Sequence, residues 1–322
     1  MPARSGLVPL LAAVVAVPLA LVGCGSDDPS ADDGRPTVVV TTSILGDVVR
    51  ELVGAAAVVE VVMPAGADPH DFQPSAQQVN AMRSADALVT NGGGFEAGLV
   101  PTIEAAAADV PTVAALDLVD VLAFDEEGGH GHEGEAADDG HDHEGDDPHF
   151  FTDPDRVADA AEGIAAFLAD EVPALATDAV AATTAAYVDE LRDLASEVDD
   201  TLASIPAARR VIITNHEVFG YFADRYDFEV VGAVVPGGGT GAESSAGALD
   251  ELAHVIEAED VPAIFADASS PARLAEALAD EVGGDVAVVP LFTEALGDEG
   301  SGAETYVDLV RTNADRIAEA LA

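Results

Sequence analysis

The chain has 322 residues, 49% of them hydrophobic, enough apolar material for more than one core. Its 61 acidic residues face 12 basic ones, all arginine, and the resulting formal net charge of -49 excludes a phosphate backbone, and so nucleic acid, as partner. The same field raises the local cation concentration, but salt screens it within roughly 8 Å, so it assists cation capture without defining a site. A single cysteine excludes an internal disulfide.

At the amino terminus, "MPARSGLVPLLAAVVAVPLALVGC" carries one early arginine and then an apolar run ending in small residues. The run is shorter than the ~20 residues a membrane span needs, and residues 1–23 read as a signal peptide. Leu21-Val22-Gly23-Cys24 resembles the bacterial lipobox, which implies acylation of Cys24 and an extracytoplasmic protein anchored by lipid to the bacterial cell membrane. The acidic, proline-bearing stretch that follows makes residues 24–36 a flexible lipidated tether.

From Thr37 onward, short β-branched runs alternate with helical patterns. Strands are predicted at 37–43, 58–63, 87–91 and 112–116, and again at 210–215, 229–235, 263–267 and 286–291. In the second half, helical segments interleave around 217–226, 247–259 and 271–282. This βαβα order calls for parallel strands. The expected fold class is α/β, with two Rossmann-like lobes, residues 37–172 and 207–322, each built on a four-stranded parallel sheet. Between them, residues 173–206 contain a stretch free of internal glycine and proline (174–205) with Tyr187, Leu191, Leu194, Val198, Leu202 and Ile205 on one stripe. That pattern predicts one long backbone helix of about 48 Å joining the lobes and restricting hinge bending.

Residues 125–147 belong to neither core: eleven acidic residues, several glycines and His130, His132, His141 and His143 form a predicted mobile loop that attracts metal weakly. Of the four remaining histidines, His254 lies within an amphipathic helical pattern and reads as a surface residue. His70, His149 and His216 occur in the turn-rich contexts "MPAGADPHDF", "GDDPHFFTDP" and "IITNHEVFGYF". In parallel α/β sheets ligands bind beyond the carboxyl ends of the strands, so His70 and His216, following strands in opposite lobes, are expected to face each other across a cleft. Each Asp-Pro-His turn is stiffened by its proline, and Asp68 or Asp147 could orient the neighbouring imidazole.

The stretches "PAGADPHDFQPS", "NGGGFE", the acidic histidine-rich insertion, "DPHFFTDP", "TNHEVFGYFADRYDFEVVG" and "VVPLFTEALG", in this order behind a lipobox, resemble the zinc- and manganese-specific solute-binding lipoproteins of bacterial ABC transporters. The resemblance covers Cys24 to Ala322. It implies two α/β lobes joined by a long helix and a metal site in the interlobe cleft. It matches His70, His149 and His216 to three ligand positions and Glu294 to the fourth, where aspartate is often found in the family; Asp267 is the alternative fourth ligand. It further implies an ABC permease and its ATPase as partners, with the binding protein a monomer.

Three imidazoles and one carboxylate suit four-coordinate Zn2+, whereas Mn2+ prefers more oxygen ligands. Zn2+ is therefore the expected cargo and Mn2+ the alternative of the same type. Two other classes compete: a zinc hydrolase, for which Glu217 would be the general base although no HExxH helix is present, and an adhesin-like surface lipoprotein with a structural metal. No enzymatic role is expected.

Overall fold

A computed structural model of the protein describes residues 34–124, 145–235, 245–269, 272–283 and 286–322. The expected signal peptide, Cys24, most of the expected tether and His130, His132, His141 and His143 lie outside the described residues.

The first sheet is built from β1 (Thr37–Val40), β2 (Val58–Val61), β3 (Ala87–Thr90) and β4 (Thr112–Ala114), all parallel, in the order β2-β1-β3-β4. Its central strands, "VVV" of β1 and "ALVT" of β3, are buried on both faces, which is what an unbroken apolar run in a parallel sheet produces. The second sheet repeats the arrangement with β5 (Val211–Thr214), β6 (Glu229–Ala233), β7 (Ala263–Asp267) and β8 (Ala287–Leu291) in the order β6-β5-β7-β8. The α/β architecture expected from the alternating pattern is the one observed.

Helices α1 (Ser43–Val53), α2 (Ala76–Ser84) and α3 (Val100–Ala107) cover the first sheet. Thr42 caps α1 by accepting from the Leu45 N–H, and Ser75 and Gln78 form a reciprocal capping box on α2. After the insertion come α4 (Pro154–Glu171) and the linking helix α5 (Asp178–Leu202); the second lobe adds α6 (Gly220–Tyr226), α7 (Ala246–Glu259), α8 (Arg273–Val282) and α9 (Tyr306–Leu321).

The linking helix is shorter than its expected span. Pro173–Leu175 makes a separate 3-10 turn, and Thr177 starts α5 by accepting from the Val180 N–H. Twenty-five residues remain, about 37 Å at 1.5 Å per residue. The "TD" pair at 177–178 is an N-cap signal inside a stretch that otherwise lacks a helix stop. The apolar stripe is as read: Tyr187, Leu191, Leu194, Val198, Leu202 and Ile205 are all buried.

That stripe also fuses the lobes. One apolar cluster runs from Val38, Ile44 and Leu52 of the first lobe through Leu191 and Val198 to Ile212, Phe265, Leu291, Tyr306 and Ile317 of the second. Smaller clusters sit on the far face of each sheet, around Met63, Met82 and Leu88 and around Ile213, Leu252 and Ile264. Helix α9, absent from the sequence reading, packs its face of Tyr306, Leu309, Val310, Ala314 and Ile317 into the shared core. Residues 35–322 accordingly behave as one unit.

Candidate metal centre

The site lies where both sheets end. Downstream of β2, Val62 and Met63 donate their N–H groups to Val40 and Thr41, and the chain then turns through Pro64–Pro74, presenting His70. Asp68 Oδ1 accepts the His70 N–H at 2.9 Å, an Asx turn that fixes the presentation. His216 follows β5 by two residues, its carbonyl accepting from Thr214 Oγ1 at 2.6 Å. Glu294 follows β8 by three residues.

The loop bearing Glu294 belongs to the second lobe by sequence but is held by the first. Two residues on, Leu296 donates its N–H to Ser43 Oγ at 3.0 Å and accepts the Gly66 N–H, also at 3.0 Å.

His149 is placed by a buried polar arrangement. Asp147 Oδ1 accepts both its backbone N–H at 2.9 Å and its ring Nδ1–H at 2.7 Å. A carboxylate on Nδ1 fixes the tautomer that leaves Nε2 as a lone-pair donor. Burial alone would disfavour the imidazolium, but the carboxylates of Asp147 and Glu294 outweigh it and raise His149 to about 9 in the metal-free chain.

These turns bring the three histidines and Glu294 together: one donor atom from each falls within 4.8 Å of all the others, and among the described residues no other such group occurs. Glu294 Oε1 lies 2.6 Å from His70 Nε2, 3.0 Å from His216 Nε2 and 3.4 Å from His149 Nε2. His149, His216 and Glu294 are buried, and His70 keeps 11% of its side-chain surface exposed, so the cluster opens to solvent at His70. Burial alone would favour the protonated carboxyl, yet the His149, His216 and His70 rings that face it hold Glu294 well below the ordinary glutamate range. Three buried atoms of these residues, His149 Nε2, His216 Nδ1 and Glu294 Oε2, have no hydrogen-bond partner. A buried group of strong donors left partly unsatisfied is the arrangement a cation completes.

The surroundings are apolar. Phe95 stands edge-on to His70 and His149 with centroids at 5.3 and 5.6 Å, and Phe124 and Phe151 flank His149. Phe95 is delivered by "NGGGFE", whose Gly92, Gly93 and Gly94 all have positive φ (90°, 62° and 74°). A Cβ on Gly93 would stand 2.6 Å from Leu116 Cδ2, so the close approach as well as the backbone requires glycine. Glu96 closes the loop from inside, accepting from Thr41 Oγ1 at 2.6 Å and from the N–H groups of Asn91 and Gly92.

Asp267, the alternative fourth ligand, is turned away from the cluster; its carboxylate accepts from the Ser269 N–H and Oγ at 2.8 and 2.7 Å. Glu217 is not in the group either. His254 is exposed on α7 beside Asp250 and Glu257, as its helical pattern suggested. The sequence left open which aspartate orients a ring; the geometry gives that contact to Asp147. Glu96 is a further residue that the motif contained but whose role nothing in the pattern revealed.

Residues 38–320 match the family described as zinc-uptake complex component A, periplasmic (ZnuA). The chain is 28% identical over 310 residues to the manganese-binding lipoprotein MntA of Halalkalibacterium halodurans, covering 96% of both chains. It is 32% identical over 305 residues to the zinc-binding protein TroA of Treponema pallidum, covering 92% of both. The solved structure of the periplasmic zinc-binding protein TroA superimposes with a TM-score of 0.79 at 30% identity, over 90% of this chain and all of that one. With a match spanning nearly the whole chain, a shared fold and a relative above 30% identity, the protein belongs to the ZnuA family of metal-binding components of ABC transporters.

Proposed function

We propose that the protein captures one divalent metal ion, Zn2+ before Mn2+, between His70, His149, His216 and Glu294 and passes it to an ABC permease driven by its ATPase. The observation that carries this reading is the convergence of three imidazole nitrogens and one carboxylate in a buried pocket, with donor atoms left unsatisfied. Three nitrogen donors and one carboxylate match the ligand number and type of a tetrahedral zinc site. The Mn2+ reading rests on the relative named as a manganese-binding lipoprotein, and a histidine-rich donor set argues against it on chemical grounds.

Export and anchoring complete the proposal: residues 1–23 are removed, Cys24 is acylated, residues 24–36 tether the body, and the loop histidines His130, His132, His141 and His143 gather metal weakly. Residues 37–172 and 207–322 are the two lobes, 173–206 their connector, and the working form is a monomer. Among the described residues no helix is long and apolar enough to cross a membrane. The site is read as one for capture and not turnover, because a carboxylate takes the position that a hydrolytic zinc site keeps for water.

Crystals grown with equimolar Zn2+ and Mn2+ test the reading through anomalous scattering at both absorption edges. A zinc peak within bonding distance of all four residues supports it. A manganese peak there moves the cargo to Mn2+, and no peak at the cluster overturns it.

A further inference from the structure

The His149 ring is held by a carboxylate from its own turn, and that turn is gripped from the opposite lobe. Asp147, which orients the imidazole, is 3% exposed. Its backbone carbonyl accepts the Tyr221 O–H at 2.7 Å, and the same hydroxyl oxygen accepts the Leu122 N–H at 3.1 Å. Tyr221 is fully buried on α6, in the second lobe. Its two partners stand on the two strands of chain that enter and leave the insertion, joined to each other by the Asp147 N–H donating to the Leu122 carbonyl at 2.8 Å and by the Ala123–Asp146 bridge. Arg156 stacks over the Tyr221 ring at 4.9 Å and donates to the Asp120 carbonyl, fixing the entering strand to the same tyrosine.

The preceding residue adds a second contact. A Cβ built on Gly220 would stand 2.5 Å from Asp147 Oδ2, so the first turn of α6 lies against the carboxylate itself. Gly220 has no positive φ, and alanine there is excluded by the carboxylate and not by backbone strain.

Resting on the four-residue metal site proposed above, the geometry points to Gly220 and Tyr221 as an interlobe latch that positions His149 through Asp147. One face of the contact sets the height of the Asp147 backbone and the other the place of its carboxylate. Movement of α6 away from the insertion stem breaks the Tyr221 bond, frees Asp147 and lets the His149 ring leave its metal-binding orientation. The second lobe thereby controls the orientation of a ligand that belongs to the first. These are positioning residues; neither meets the ion.

The test compares the full chain with Y221F, G220A and the control Y226F. Tyr226 is 2% exposed on the same helix, and its hydroxyl has no hydrogen-bond partner, so its removal costs no bond. Each protein is loaded with Zn2+, mixed with excess chromophoric chelator, and followed for release; Co2+-loaded samples report ligand geometry by visible absorption. Outer partners of ligating histidines are worth about 10–100-fold in metal affinity. Y221F and G220A are expected to release Zn2+ at least about tenfold faster than wild type and to shift the Co2+ spectrum, with Y226F within about twofold of wild type. Release and spectra like wild type in Y221F and G220A overturn the latch, even where thermal stability falls, because Tyr221 is then structural only. Where Y221F fails to fold, G220A decides alone. A wild-type chain that takes up neither ion overturns the metal-site reading and the latch with it, whereas wild-type binding with unaltered variants overturns the latch alone.

Discussion

His70 Nε2 and Glu294 Oε1, 224 positions apart in the chain, stand 2.6 Å apart across the cleft, and this contact joins the carboxyl ends of the two sheets. Glu294 is long enough for one oxygen to lie within 3.4 Å of all three imidazoles. E294D withdraws the carboxylate by one methylene and is expected to weaken Zn2+ binding about tenfold. E294A and H70A, which each delete a donor, are expected to exceed the 100-fold upper range for outer partners. Competition titration against a calibrated zinc chelator measures both, and equal affinities for E294A and wild type would remove Glu294 from the ligand set.

Because its donors come from both lobes, the bound ion should stabilise the whole unit. At a free Zn2+ concentration about 1,000 times Kd, linkage adds about 4 kcal/mol. Calorimetry of the metal-loaded chain should show one transition several degrees above that of the chelator-treated chain. Two transitions, only one of them metal-sensitive, would contradict a core continuous between the lobes.

Asp153 supplies a pH dependence away from the ligands. It caps α4 by accepting the Asp155 N–H, and burial raises its carboxyl to about 6, with Asp155, Arg156 and Arg225 adding smaller opposing effects and Tyr226 and Tyr306 packed nearby. The folded pKa exceeds the unfolded value of 3.8, so above pH 6 the folded state carries a penalised charge. Stability contributed by this group rises as pH falls from about 6 to 3.8 and is constant below. D153N keeps the cap and removes the penalty, with an expected gain of roughly 1–3 kcal/mol at pH 7 and a flatter dependence between pH 6 and 4. Urea midpoints at pH 4, 5, 6 and 7 check this; parallel curves for D153N and wild type would refute it.

Gly93→Ala combines a positive φ with a contact 2.6 Å from Leu116 Cδ2. Left-handed backbone at a non-glycine residue costs about 1–2 kcal/mol before the clash is relieved. The variant should lose at least ~2 kcal/mol of stability in urea unfolding and, because Phe95 packs on His70 and His149, bind Zn2+ more weakly. Stability loss with unchanged affinity would separate the loop from the site.

Deleting residues 126–144 removes His130, His132, His141 and His143 but none of the four clustered donors. Isothermal titration should retain one tight Zn2+ equivalent and lose any weaker ones. Disappearance of the tight equivalent would place a ligand in the insertion.

Much of this fold is written in local pattern. The β-branched runs and their spacing specify eight parallel strands, and the stripe from Tyr187 to Ile205 specifies the helix between them, because burial periodicity depends on neighbours a few residues away. Its start at Asp178 turned on a single Thr hydroxyl, a weaker signal than the missing glycines and prolines that suggested a longer helix. Helix α9 is less legible, because its apolar stripe is interrupted by Asn313, a polar residue that the core tolerates by bonding the Phe292 backbone. At the site, stiff Asp-Pro-His turns announce His70 and His149, while Glu294 carries no local signal and is implied only by resemblance. The partners of Asp147 and Tyr221 were invisible, since a hydroxyl and a carbonyl 74 positions apart leave no periodic trace.

Leu296 seams the two lobes beside Glu294. Its N–H and C=O are bonded to Ser43 and Gly66, in the lobe opposite to the one it belongs to. The two bonds thus pin the loop that carries Glu294 to the opposite lobe, and parting the lobes at that point costs both of them.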